Sequence, residues 1–196
     1  MLRALLASVV AIVVITVVLG FGYPALMTGI AQVTMSHQAN GSLIVRNGTV
    51  VGSSLAAQNF TSPKYFHERP SATTPPYNPS FTTFSNLGPT NPALANLVKQ
   101  NADAILKLEG PYNPGLTIHQ IPVDAVVPSG SGIDPEISIA YADLQARRVA
   151  AVRHLPLETV QQLIQQHTVG RQLDFLGEAG VNVLNLNLAL DAQGGK

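Results

Sequence analysis

ALLASVVAIVVITVVLGFG, residues 4–22, decides the broad organisation of this chain. The stretch carries no charge, and its polar members, Ser8 and Thr16, can bond back to a helix carbonyl. About 20 residues at a 1.5 Å rise cover the ~30 Å hydrocarbon layer. Lipid offers no partner to an open backbone, so even this run of β-branched residues must be helical there. The expectation is a transmembrane helix over residues 5–27, running through Pro24, with Phe21 and Tyr23 near an interface. A cleaved leader is the competing reading. Its apolar core usually spans about 7–15 residues, and this run is longer, with no small-x-small site directly after it. A retained anchor is preferred.

No Asp, Glu, Lys or Arg lies between Arg3 and Arg46. The positive-inside rule then leaves residues 1–4 in the cytoplasm and the bulk of the chain outside it. Residues 28–40 read as a juxtamembrane linker and 41–196 as one extracytoplasmic domain. Charged residues are only 11% of the 196, with 11 basic and 11 acidic side chains, which excludes a basic nucleic-acid footprint. The absence of cysteine removes disulfides, thiolate metal sites and a cysteine nucleophile.

Within residues 41–196, SLIVRNGTVVGS (42–53) reads as a β-hairpin, with Asn47-Gly48 supplying a type I′ turn. Residues 61–92 are rich in Pro, Ser, Thr and Asn, and their prolines exclude long helices and central strands. Phe60, Tyr65, Phe66, Tyr77, Phe81 and Phe84 recur through this stretch. An irregular layer covering its own core is the favoured reading; a ligand or partner surface is the other. Asn91 caps a helix with Pro92 at its first position. Residues 118–127 read as a short edge strand. Asp134-Pro135-Glu136 reads as a second helix start. A further helix begins near Pro156 and ends near Gly170. VNVLNLNLAL (181–190) reads as a strand turning into a helix. Strands and helices intersperse without regular alternation, so the fold class is α+β: one N-terminal transmembrane helix followed by a single loop-rich α+β domain.

Chemistry is sparse. His67-Glu68 lacks the second histidine of a zinc-protease helix, so no metal site is expected. No Gly-x-Ser-x-Gly elbow is present, and no catalytic residues are assigned. Ser129-Gly130-Ser131-Gly132, ahead of the expected helix start, is the candidate anion or nucleotide loop. No Walker lysine follows it, and Asp134 and Glu136 would repel a phosphate, so a turn feeding a capped helix is preferred. Arg147, Arg148 and Arg153 read as a solvated basic face. Gly20, Gly22 and Ala25 could let the span approach a partner helix closely.

Several blocks together resemble one known family. They are QANGSL (38–43), QNF (58–60), YFHERPSA (65–72), YNP (77–79), SNLGPTNP (85–92), SGSGIDP (129–135) and VNVLNLNLAL (181–190). In this order behind one N-terminal span, they resemble the C subunit of the bacterial Kdp potassium-transporting ATPase. The resemblance covers roughly residues 20–190. It implies a single-pass inner-membrane subunit of an ATP-driven K⁺ uptake complex. Its partners would be a channel-like A subunit, a P-type ATPase B subunit that carries the catalytic site, a small F subunit and membrane lipid. It implies a role in assembly, and one as a catalytic chaperone raising the ATP affinity of the B subunit. No cofactor is expected to bind stably, and ATP only through the complex. Phe60, Tyr65, Phe66, Arg69, Tyr77, Phe81, Phe84, Gly20 and Gly22 are the candidate partner contacts. A membrane-anchored extracytoplasmic hydrolase or binding module is the alternative.

Overall fold

The computed structural model describes residues 1–193. The chain forms two compact units that divide between Val51 and Gly52.

In the first unit, helix runs unbroken over Leu2–Thr34, 33 residues, the one stretch among the described residues long and apolar enough to cross a membrane. At 1.5 Å per residue it is roughly 50 Å long, more than the hydrocarbon layer requires. It continues well past Met27, so residues 28–34, expected as linker, are helical. Ser8 Oγ donates to the Ala4 carbonyl at 3.0 Å, which hides its hydroxyl along the helix as expected. Over Thr16–Gly22 the winding loosens to a π-type turn, and Tyr23 N–H donates to Val18 O, five residues back. Pro24 follows directly. It has no N–H to donate, and its ring would clash with the carbonyl four residues back in a regular α-helix; the wider turn relieves both. After the helix, β1 (Leu43–Arg46) and β2 (Thr49–Ser53) form the expected hairpin. Asn47 (φ 51°) and Gly48 (φ 77°) both take the positive φ that a type I′ turn needs.

The second unit packs helices against a small antiparallel sheet. The sheet order is β3 (Glu136–Ile137), β5 (Gly180–Asn182), β4 (Thr168–Val169). Ile137 sits opposite Val181, and Thr168 opposite Val181 on the other side. The helices are Pro92–Glu109, Ile139–Arg153, Leu157–Gln166 and Val183–Gln193. Ala102, Ile105, Tyr141, Val149, Val160, Ile164, Val181, Leu186 and Leu190 meet in one core. The architecture is the expected α+β. Asn91 Oδ1 accepts from Ala93 N–H at 2.9 Å, so the Asn91 cap forms as read. Residues 181–190 do turn from strand β5 into a helix.

Two local expectations are corrected. Residues 118–127 form no strand. Thr117 and Gln120 close a capping box around a 3₁₀ turn at Ile118–Gln120, and Pro122 starts a short helix over Val123–Val126. Nor does Asp134 start a helix. Its Oδ1 accepts Glu136 N–H at 3.1 Å and feeds strand β3. The helix begins four residues later on Ser138, whose Oγ accepts Tyr141 N–H at 3.0 Å. Asp124 holds that cap, accepting from Ser138 N–H (2.7 Å) and Ser138 Oγ–H (2.8 Å).

Candidate functional site

The Pro-rich stretch starts with a turn, closed by Tyr65 N–H donating to Ser62 O at 3.1 Å, and runs on through Phe66 and His67, which pair with no strand. Side chains satisfy their backbone instead. Gln145 accepts from His67 N–H (2.7 Å) and donates to His67 O (3.0 Å). Asn187 does the same for Phe66, at 2.8 and 2.9 Å. Each amide imitates a strand neighbour, with one acceptor and one donor in the spacing of a peptide group. Arg148 completes the set. Its guanidinium donates to the Pro63 carbonyl, to Tyr65 O (2.9 Å), to Gln145 Oε1 (2.9 Å) and to Glu109 Oε1 (2.8 Å). Arg148 and Glu109 are both fully buried. At the edge, Arg153 donates to Lys64 O (2.6 Å) and pairs with Asp191 (2.7 Å), which also accepts from Tyr65 Oη (2.9 Å).

The expected basic face is therefore corrected. Of its three arginines, Arg148 is buried and Arg153 is tied to the loop and Asp191, while Arg147 alone stays exposed. A signal did exist. Tyr141, Leu144 and Arg148 fall on one face of the Ile139–Arg153 helix by spacing, and that face turns inward.

Further along, Ser71 is a hub. Its Oγ donates to Gly132 O (2.6 Å) and accepts from Tyr77 N–H (3.0 Å) and Thr73 N–H (3.2 Å). Thr83 N–H donates to Ser131 O (3.2 Å). The Ser129–Gly132 loop is thereby pinned beneath the Pro-rich layer. Its own hydroxyls fill it: Ser129 Oγ accepts from Gly132 N–H (2.9 Å) and Ser131 Oγ from Ile133 N–H (3.2 Å). It does not lead directly into a helix N-terminus. Arg69 pairs with Asp134 at 2.9 Å beside it. The adjacent cleft, of about 400 Å³, is walled by the carboxylates of Asp124, Asp134, Glu136 and Glu178 with Arg69 as the one cation. That sign of charge disfavours a phosphate.

A second cleft, of about 230 Å³, lies among Phe60, His67, Glu68, Pro70, Tyr77, Asn101 and Tyr141. Glu68 is 4% exposed, and neither carboxylate oxygen meets a donor at hydrogen-bond geometry. Burial pushes its carboxyl well above the usual range, only partly offset by the Gln58 backbone amide, and Asp134 adds to the rise. Burial also raises Tyr77 to about 12, helped by Glu68. His67 Nε2 lies 3.0 Å from Ser62 O, a contact that needs the proton on Nε2. Burial holds His67 below the ordinary histidine range against that hydrogen bond, and Arg148 adds to the lowering.

Among the candidate contact residues, Phe66 is fully buried and presents no surface. Phe60 packs on the core and stacks obliquely on Tyr65 at 5.3 Å, while Lys64 and Arg153 each lie 4.9 Å from the Tyr65 ring. Tyr77 is half-buried and donates to Arg69 O at 3.1 Å. Phe81 (64% exposed) and Phe84 (53%) stand free on the layer. Gly20 and Gly22 lie within the π-type turn. Asn187, Gln145 and Glu109 were missed. Their one signal is a polar residue placed among apolar residues on a helix.

Comparison with known proteins adds the identity of the relatives. A family model described as "K+-transporting ATPase, c chain" (KdpC) matches residues 5–192. The "Potassium-transporting ATPase KdpC subunit" of Sorangium cellulosum is 50% identical over 192 residues, 97% of this chain and 98% of that protein. Its counterpart in Herpetosiphon aurantiacus is 54% identical over 185 residues, 94% of this chain and 93% of that protein. The one in Mycobacterium bovis is 47% identical over 191 residues, 97% and 99% respectively.

Proposed function

This chain belongs to the KdpC family, as a subunit of the Kdp K⁺-transporting ATPase, and from that membership we propose that it is the complex's non-catalytic assembly subunit. The observation that carries the reading is the near full-length match combined with a single N-terminal apolar helix. The helix anchors the chain in the bacterial inner membrane with residues 1–4 in the cytoplasm. The residues beyond Val51 fold on the outer side and dock on the channel-like A subunit, with the exposed Phe81 and Phe84 as contacts. ATP is hydrolysed on the B subunit, and the F subunit completes the set.

The proposed rise in ATP affinity of the B subunit is then transmitted through the membrane subunits. The filled Ser129–Gly132 loop and the acidic cleft beside it support a chain that does not itself hold the nucleotide.

Two measurements on one strain test this. A tagged chain is purified from native membranes, and Thr74→Cys is labelled in intact cells with an impermeant thiol reagent, the native chain having no cysteine. Co-purification of a P-type ATPase with labelling from outside is expected. A chain that purifies alone overturns the subunit reading. Labelling only after permeabilisation reverses the orientation and brings direct nucleotide contact back into question.

A further inference from the structure

Between β4 and β5 the chain makes a tight projection. Gln172 and Leu176 exchange both backbone hydrogen bonds, N–H to O at 2.9 and 2.8 Å, and close a three-residue tip, Leu173-Asp174-Phe175. Outside the tip, Arg171 and Glu178 pair at 2.6 Å across the neck. Leu173 (φ 52°) and Asp174 (φ 65°) both hold left-handed backbone. A leucine there costs roughly 1–2 kcal/mol that a glycine would avoid. At its β1–β2 turn the same chain uses Asn47-Gly48, where positive φ costs little. At the tip the side chains are also poorly placed for folding, since Leu173 is 77% exposed, Phe175 68% and Leu176 47%. The arrangement is strained, braced and apolar at once.

We propose that this tip is a preformed anchor that inserts into an apolar pocket of another subunit of the transport complex. The rim of that pocket would carry a cationic side chain or backbone N–H groups facing Asp174. The inference rests on the subunit reading above. A neighbouring protein fits better than a lipid surface because of charge. Asp174 sits at the apex between the two apolar side chains, and a carboxylate is costly in hydrocarbon and repelled by anionic headgroups. Arg171, three residues before it, is already paired with Glu178. A few centrally buried anchor residues carry most of the energy in protein interfaces.

The test uses the full chain in the assembled complex. With p-benzoylphenylalanine in place of Phe175, irradiated native membranes should yield an adduct with another subunit. Adducts with lipid alone, with a second copy of this chain alone, or none at all overturn the proposal. The double variant Leu173→Ser/Phe175→Ser should be retained in the detergent-purified complex on the order of tenfold less than the unsubstituted chain, as for a lost anchor. Its own unfolding midpoint should stay unchanged. Equal retention of the variant overturns the anchor while leaving the subunit reading intact. Failure of the unsubstituted chain to co-purify overturns both.

Discussion

Arg148 Nε lies 2.8 Å from Glu109 Oε1, with no part of either side chain exposed. The pair joins the Ile139–Arg153 and Pro92–Glu109 helices, and the same guanidinium holds the carbonyls of Pro63 and Tyr65. Burial raises the Glu109 carboxyl, while Arg148 opposes that rise by its charge and hydrogen bond. A buried ion pair of this sort contributes little net stability compared with apolar packing, but removing one member leaves the other uncompensated.

Arg148→Ala should therefore cost about 3–5 kcal/mol, because it leaves a buried carboxylate and two carbonyls without donors. Denaturant unfolding of the full chain in detergent measures this. Glu109→Gln should cost less, since the amide oxygen can still accept from Arg148. Equal losses for the two would contradict the view of Arg148 as the hub.

Asn187→Leu should expose how the backbone at Phe66 is held. The leucine keeps the heavy-atom count and branching, though it is bulkier, and removes both hydrogen bonds to Phe66, a loss of roughly 2–4 kcal/mol. Hydrogen exchange should speed up at Phe66 N–H before it does in the helices. A change spread evenly over the domain would argue against a local clamp.

Glu68→Gln should stabilise the chain, by an amount that depends on pH. The folded-state pKa of Glu68 is raised, so the folded chain holds its proton as the unfolded chain ionises. Stability is therefore lost as pH rises from the ordinary glutamate value of 4.5 through the raised folded value. The glutamine variant should match the parent near pH 4 and exceed it by roughly 1–3 kcal/mol at neutral pH and above. His67 acts in the opposite sense. Its folded pKa is lowered, so it takes stability away as pH falls through 6.5. His67→Gln should flatten that acid limb, and thermal melts over a pH series separate the two residues.

Gly132→Ala should loosen the seam between the Pro-rich layer and the Ser129–Gly132 loop. Gly132 has φ +74°, and a Cβ would fall 2.7 Å from Thr73 Cγ2 and 2.8 Å from Thr83 O. Strain and collision together should cost about 1–3 kcal/mol, and limited proteolysis should begin within residues 73–83. Unaltered protease resistance would mean that the seam gives way easily.

What was legible in the sequence was what a few neighbouring residues settle. The apolar run at 4–22 is helical as read, from its length and composition and the rule that lipid would satisfy no open backbone group. Asn47-Gly48 and Asn91-Pro92 formed as read because a turn and a cap are decided within four residues. Tertiary structure decided the rest. Asp134 looked like a helix cap until Arg69, 65 residues away, and strand β3 claimed it. Arg148 looked like a surface cation until carbonyls 83 and 85 residues away provided acceptors that made its burial tolerable. Asn187 and Phe66, 121 residues apart, show the same dependence. A polar side chain can be buried only where its partners converge, and that convergence is a property of the fold, not of local spacing.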